Sequence, residues 1–217
     1  MSVAPAPPEG PAAPFGAEAF ANAVGASAAQ TADMQGFLAL LTEWNGRMNL
    51  VGPSALGEFW RRHALDSAQL RQIAPEARTW ADLGAGAGFP GLVLAILAKG
   101  EPGARVHLIE SMAKRCRFLQ AVTEALDLPA EVHHGRAEDL SLKVDVVTAR
   151  ACAPMVRLLG YAWPYLRAGA TGLFLKGQDV GSELQEAAIS WKFQSDLIPS
   201  ISSPEGQIVR LKKVSRV

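Results

Sequence analysis

The sequence predicts an α/β protein: a mostly parallel sheet covered on both faces by helices, with a small helical addition at its N-terminus. Three observations predict it. After Pro75, short apolar runs alternate with helical stretches, the texture of βαβ crossovers. One of those runs ends in Asp82-Leu83-Gly84-Ala85-Gly86-Ala87-Gly88, a glycine-rich turn that opens onto an apolar helix. Before Pro75, apolar residues recur at spacings of three and four, which is helical.

The elements follow in chain order. The first 33 residues hold twelve alanines, five prolines and three glycines but only two aromatics. That segment has little apolar surface to set against its ordering entropy, so residues 1–30 read as a disordered tail. Its Ala-rich end, 17–32, is the part able to turn helical against the body. Residues 31–75 form the helical segment. Thr31 or Asp33 caps a helix carrying Met34, Phe37, Leu38, Leu41 and Trp44, and Asn45-Gly46 supplies a left-handed stop. Ser54 caps a second helix through Arg62, and Asp66 or Ser67 a third through Ile73. Residues 76–217 make the main domain. Its strands are 79–83, 105–110, 130–134, 144–148, 172–176, 192–198 and 207–212, with helices at 91–99, 113–126, 155–166 and 181–191. The last two strands follow one another without a helix and predict an antiparallel hairpin at one sheet edge.

Composition narrows the function classes. Hydrophobic residues at 49% and charged residues at 19% can build a core, which excludes wholesale disorder. No apolar run approaches the roughly 18 residues of a membrane span, and the N-terminus lacks a basic region followed by an apolar stretch. A soluble, cytoplasmic protein is expected, with monomer as the default state. Cys116 and Cys152 cannot make a disulfide scaffold. The 21 basic and 21 acidic residues cancel, but residues 1–33 carry only acids, and Arg210, Lys212, Lys213 and Arg216 leave the C-terminus basic. A modest basic surface is compatible with this balance. The four histidines show no metal spacing: His133 and His134 are adjacent, hence on opposite strand faces, and no metal is expected.

The glycine loop is the most informative segment. Glycines let a backbone approach a ligand and adopt positive φ, and the helix behind them presents free N–H groups. Two frames fit. Gly86-x-Gly88-x-x-Gly91 with Glu110 beyond it satisfies the dinucleotide fingerprint of an NAD-dependent oxidoreductase. Asp82-x-Gly84-x-Gly86-x-Gly88, acid first, resembles the S-adenosylmethionine loop of Rossmann-like methyltransferases and is the better fit. There Asp82 faces the cationic end of the ligand, a place a pyrophosphate would not tolerate. Glu110 ends the second strand, where its carboxylate can accept both hydroxyls of a ribose. The turn after the third strand offers the Ala137 N–H and the Glu138 carboxylate to an adenine ring. Arg150 and Lys176 end the fourth and fifth strands on the same side, where a methyl acceptor would approach. No nucleophile elbow or P-loop is present.

Several stretches together resemble one family. Trp44-Asn45-x-x-x-Asn49-Leu50, His63-x-x-Asp66-Ser67 and Asp82-Leu83-Gly84-x-Gly86-x-Gly88-Phe89-Pro90-Gly91 are similar to the GidB/RsmG small-subunit ribosomal RNA methyltransferases. Lys114-Arg115-x-x-Phe118-Leu119, Gly135-Arg136-Ala137-Glu138, Arg150-Ala151 and Lys176-Gly177 continue the match in the same order. The resemblance spans roughly residues 34–180. It implies a Rossmann-like class I methyltransferase fold with a seven-stranded sheet, and transfer of a methyl group from S-adenosylmethionine to N7 of a guanine in 16S ribosomal RNA. S-adenosylhomocysteine is then the product, and the RNA or the small subunit is the partner. By this match Gly84, Phe89, Ala137, Glu138 and Arg150 are cofactor contacts; Asp82, Gly86, Gly88 and Glu110 are added from the loop reading. The competing readings are a methyltransferase acting on another RNA or on a small molecule, the latter with the helical segment as its lid, and the NAD-dependent oxidoreductase of the dinucleotide frame.

That chemistry needs no general base. Guanine N7 carries an in-plane lone pair, free even in a Watson–Crick pair, so no proton has to leave before attack. The protein's task is alignment. Arg150 and Lys176 are expected to flank the acceptor pocket, with Arg61, Arg62, Arg115 and Arg117 available for phosphates.

Overall fold

The computed structural model describes residues 15–150 and 153–217. Seven strands form one sheet: β1 (Thr79–Leu83), β2 (Arg105–Glu110), β3 (Ala130–His134), β4 (Val146–Arg150), β5 (Thr171–Lys176), β6 (Trp191–Pro199) and β7 (Gln207–Arg216). Their spatial order is β3-β2-β1-β4-β5-β7-β6. β1 to β5 run parallel, and β7 is antiparallel to both neighbours. The order reverses between β1 and β4, which opens a crevice beyond their C-terminal ends.

Strand alternation sets the two layers. Along β1, Trp80 turns into one core while Ala81 and Leu83 turn into the other. The first core is closed by α5 (Gly91–Ala98) and α6 (Ala113–Ala125), the second by α7 (Met155–Leu166) and α8 (Val180–Ala187). Every residue of α5 is buried, which explains a helix that is apolar all round. Its outer side is covered by α1 (Ala17–Val24), α2 (Ala28–Met48), α3 (Pro53–Gly57), a π-helical turn at Phe59–Leu65 and α4 (Asp66–Ile73). Phe37 of α2 and Phe59 of the π-turn meet at 5.6 Å between ring centroids, and both pack on Phe89, at 5.2 and 5.8 Å. The N-terminal layer is thus bolted to the residue that follows the glycine loop.

Several boundaries differ from expectation. Residues 1–14 of the expected tail lie outside the described residues, but α1 and the start of α2 occupy the rest. Phe20 is fully buried against Trp60, and Ser27 and Gln30 form a reciprocal capping box, so the helix starts before Thr31. Asn45-Gly46 stays helical. The stop is Asn49, in left-handed conformation at φ 49°, while the Asn45 side chain accepts the Val51 N–H at 2.9 Å. Gly52 rather than Ser54 precedes α3, with Pro53 in the first turn. Nothing breaks the chain at Asp66, since Leu65 is itself helical. β4 begins two residues late because Asp145 turns back to accept the N–H groups of Arg78 and Thr79, each at 2.9 Å. Trp191 opens β6 instead of closing α8, packing on Trp163 at 5.4 Å. Among the described residues no helix is long and apolar enough to cross a membrane.

Candidate active site

Gly84, Gly86 and Gly88 all have positive φ, at 68°, 55° and 90°, so the loop after β1 could not be built from residues with side chains without strain. Two carboxylates hold it. Glu110 accepts the Gly86 N–H at 3.0 Å through Oε2 and the Met112 N–H at 2.8 Å through Oε1. Each oxygen keeps a second lone pair for another donor. Asp82 is fully buried, and its Oδ2 accepts the Gly91 N–H at 2.8 Å, at the first turn of α5. A side chain on Gly91 would collide with Asp82 and Leu108. The other Asp82 oxygen, Oδ1, is buried with no partner among the described residues. Burial pushes the Asp82 carboxyl up to about 7, against the opposing pull of the Gly91 N–H and Arg150.

This placement separates the two frames. In the dinucleotide frame a pyrophosphate takes the N-terminus of the helix. Here a carboxylate of the protein already accepts that N–H. An anion brought to α5 would face Asp82, whereas a cationic ligand group would gain from it.

Arg150 ends β4 and stands between two cavities. One, of about 560 Å³, is lined by Leu50, Val51, His63, the glycine loop, Glu110 and Arg115. The other, of about 700 Å³, is lined by Asp66, Lys176, Glu183, Ser202 and Glu205 among others, and both include Arg150 and Arg62. The guanidinium lies 4.9 Å from the Phe89 ring centroid and its Nη1 donates to His63 Nδ1 at 2.6 Å. His63 in turn stacks on Phe89 at 4.9 Å. Burial, helped by Arg150 and Arg62, holds His63 down at about 4, so it is neutral and accepts through Nδ1; burial also lowers Arg150.

The other quoted motifs act as supports. Asp66 Oδ1 accepts from Ser200, Ser202 and Gln69 at 3.0, 2.7 and 2.9 Å, tying the β6–β7 loop to α4 across the larger cavity. Ser67 donates to the His63 carbonyl at 2.6 Å. Asn45 and Asn49 turn the chain so that Leu50 and Val51 wall the smaller cavity. Trp44 packs on Phe118 at 5.8 Å.

The structure brings Gly84, Gly86, Phe89, Glu110 and Arg150 to one cavity. Asp82 and Gly88 support it from beneath: Gly88 donates to the Ala85 carbonyl at 2.7 Å. Ala137 and Glu138 line an adjoining cavity of about 230 Å³ with Gly84, Ser111 and Tyr161. Tyr165 donates to the Ala137 carbonyl at 3.0 Å. Lys176 is more committed than expected. Its ammonium donates to Glu183 at 2.6 Å and to the Ala153 carbonyl at 2.8 Å, and Glu183 also accepts the Met155 N–H at 2.7 Å. It fastens Ala153 and the start of α7 while lining the larger cavity. Of the phosphate candidates, Arg62 and Arg115 reach the smaller cavity. Arg61 lies 5.9 Å from the Phe15 ring centroid and donates to the Ser202 carbonyl at 3.4 Å, and Arg117 is exposed on α6. His63, Tyr161 and Ser111 were not assigned roles from sequence. His63 alone carried a signal, as part of a quoted motif.

The family model for GidB, rRNA small subunit methyltransferase G, matches residues 30–209. The chain belongs to the GidB family. Relatives named ribosomal RNA small subunit methyltransferase G agree with this GidB assignment over nearly the whole length. The protein of Caulobacter vibrioides is 62% identical, covering 95% of this chain and 96% of its own. That of Caulobacter sp. strain K31 is 66% identical, covering 94% and 92%. A Methylorubrum populi relative is 46% identical over 87% and 90%. Among solved structures, an O-methyltransferase candidate of Klebsiella pneumoniae superposes with a TM-score of 0.55 at 11% identity, covering 81% of this chain and 89% of that one. The cofactor-bound Rv0187 protein of MTB gives 0.54 at 18% identity, with coverage of 88% and 92%. These two establish the class I methyltransferase fold of the GidB chain.

Proposed function

We propose that this protein transfers a methyl group from S-adenosylmethionine to N7 of a guanine in 16S ribosomal RNA. The observation that carries the reading is the position of Arg150, on the partition between a glycine-loop cavity and a second, larger cavity. One chamber suits a donor and the other a planar acceptor.

The residues fit the donor. The unpartnered Asp82 Oδ1 places negative charge behind the loop, which favours a cationic group at the α5 end. Glu110 retains acceptor capacity for ribose hydroxyls, and the Ala137–Glu138 turn offers an N–H and a carboxylate to an adenine edge. S-adenosylmethionine, when bound, supplies an electrophilic methyl group.

The chain's own work is alignment and electrostatics. Phe89, packed against the hydrogen-bonded His63–Arg150 pair, gives a rigid wall to the glycine-loop cavity. Lys176 and Glu183 hold Ala153 and the start of α7 in place, and Asp66 does the same for the β6–β7 loop. No side chain has to remove a proton, because N7 is already a free nucleophile. Effective concentration from such positioning is worth up to about 7–11 kcal/mol of barrier. Arg62 and Arg115 supply positive charge at the cavity mouth for phosphates.

The test is incubation with methyl-labelled S-adenosylmethionine and, in parallel, undermodified small subunits, their extracted RNA, transfer RNA and bulk protein. The reading expects label in small-subunit RNA. Label in transfer RNA or protein alone refutes the proposed acceptor. S-adenosylhomocysteine should raise the unfolding temperature, whereas NADH should not.

A further inference from the structure

The sheet register assembles a ligand set that sequence spacing did not show. His107 of β2 pairs directly with Glu131 of β3, and His133 lies two residues further along β3. Cross-strand partners and residues two apart share a face, so the three side chains converge. His107 Nδ1 and His133 Nε2 are hydrogen-bonded at 2.9 Å, one ring donating and the other accepting, and the Glu131 carboxylate lies 3.7 Å from the first and 3.8 Å from the second. Among the described residues these are the only three His, Cys, Asp or Glu side chains whose ligand atoms all lie within 4.8 Å of one another.

We propose that His107, Glu131 and His133 form a binding site for a late divalent transition-metal ion of the Ni²⁺, Cu²⁺ or Zn²⁺ class. Two imidazole nitrogens and a carboxylate suit these borderline ions rather than Mg²⁺ or Ca²⁺, which prefer all-oxygen sets. The spacing also informs geometry. With metal–nitrogen bonds of about 2.0–2.1 Å, nitrogens 2.9 Å apart subtend an angle of about 90° at the ion. That is a cis pair of a tetragonal or octahedral site, tighter than the roughly 3.4 Å of a tetrahedral pair.

Two contacts oppose the ion. The His107–His133 hydrogen bond is given up, the donating ring moving its proton to its other nitrogen. The Arg105 guanidinium contacts Glu131 Oε2 at 3.2 Å, on side chains that are 60% and 49% exposed. Both are free to turn: Glu131 rotates onto the metal and Arg105 moves toward solvent. The bound ion cross-links β2 to the edge strand β3, close to where these strands deliver Glu110 and the Gly135–Glu138 turn. The site stands apart from the methyl-transfer reading and does not depend on it.

The experiment uses untagged full-length protein, stripped with chelator and desalted, titrated calorimetrically with NiCl₂, ZnCl₂ and MgCl₂. One equivalent of Ni²⁺ or Zn²⁺ is expected and no Mg²⁺ uptake. His133→Ala, His107→Ala and Glu131→Gln should each weaken Ni²⁺ binding at least tenfold, and His134→Ala, on the opposite strand face, should not. Glu131 is half exposed, so its variant guards against a histidine variant that fails to fold. Arg105→Ala should tighten binding severalfold, and Ni²⁺ should raise the unfolding temperature of wild type but not of Glu131→Gln. A wild-type dissociation constant above about 1 mM, or uptake unchanged in Glu131→Gln and the histidine variants, overturns the proposal.

Discussion

Replacing Asp82 by asparagine should change how stability depends on pH. In the folded protein this carboxyl is fully buried and titrates at about 7 instead of its ordinary 3.8. A raised acid costs nothing below its unfolded value, and the cost grows as pH climbs toward the folded one. At about 1.4 kcal/mol for each tenfold change in proton affinity, the full cost is about 4 kcal/mol. About 2–3 kcal/mol of it falls between pH 5 and pH 8. Asp82→Asn keeps an acceptor for the Gly91 N–H but puts a buried, unpartnered amide donor where Oδ1 was. That penalty, about 1–3 kcal/mol, is the same at every pH and leaves the slope untouched. Urea unfolding at pH 5 and pH 8 reads the difference. With about 2 kcal/mol per molar urea, wild type should lose about 1 M more in midpoint than the variant between the two pH values. Parallel behaviour of the two proteins would refute the buried, partly protonated carboxyl. Adding S-adenosylhomocysteine at pH 8 should stabilise wild type more than Asp82→Asn, because its ammonium group favours the ionised carboxylate.

Three further outcomes follow from named contacts. Phe37→Ala removes a fully buried ring from the Phe37–Phe59–Phe89 cluster and should cost about 3–5 kcal/mol in chemical denaturation. It should also weaken S-adenosylhomocysteine, since Phe89 borders the cavity. Glu110→Gln gives up one acceptor oxygen shared between the Gly86 loop and the ribose position, and calorimetry should show the product bound about 10–100-fold more weakly. His63 is held at about 4, so its neutral-form stabilisation is complete above its ordinary 6.5 and is lost as pH falls toward 4. Wild type should therefore lose up to about 3 kcal/mol more than His63→Gln across that window, followed by fluorescence-detected unfolding.

How far the sequence could be read depended on whether a feature is local. The α/β alternation, the glycine loop and the edge hairpin rest on periodicity and backbone chemistry within a few residues, and all three are present in the fold. Asn45-Gly46 misled because a good stop dipeptide stays helical when its side chain caps the chain beyond it. By composition the arm before Thr31 is a tail with a helix-capable end at 17–32, and that end is helical here because Phe20 is buried beside Trp60, a neighbour that composition does not reveal. The same limit governs the site. Glu110 and Arg150 were legible as strand-end residues facing the crevice. The partnership of Arg150 with His63, the commitment of Lys176 to Glu183 and the His107–Glu131–His133 group were not. Each joins residues far apart in the chain that only packing or strand register brings together.

The central claim is methyl transfer to guanine N7, and nucleoside mass spectrometry of 16S ribosomal RNA tests it most directly. RNA would be compared from cells lacking this protein and from the same cells supplied with wild type or Glu110→Gln. The account predicts that an N7-methylguanine is missing without the protein, returns with wild type and returns weakly or not at all with the variant. An N7-methylguanine content that is the same in all three would contradict it.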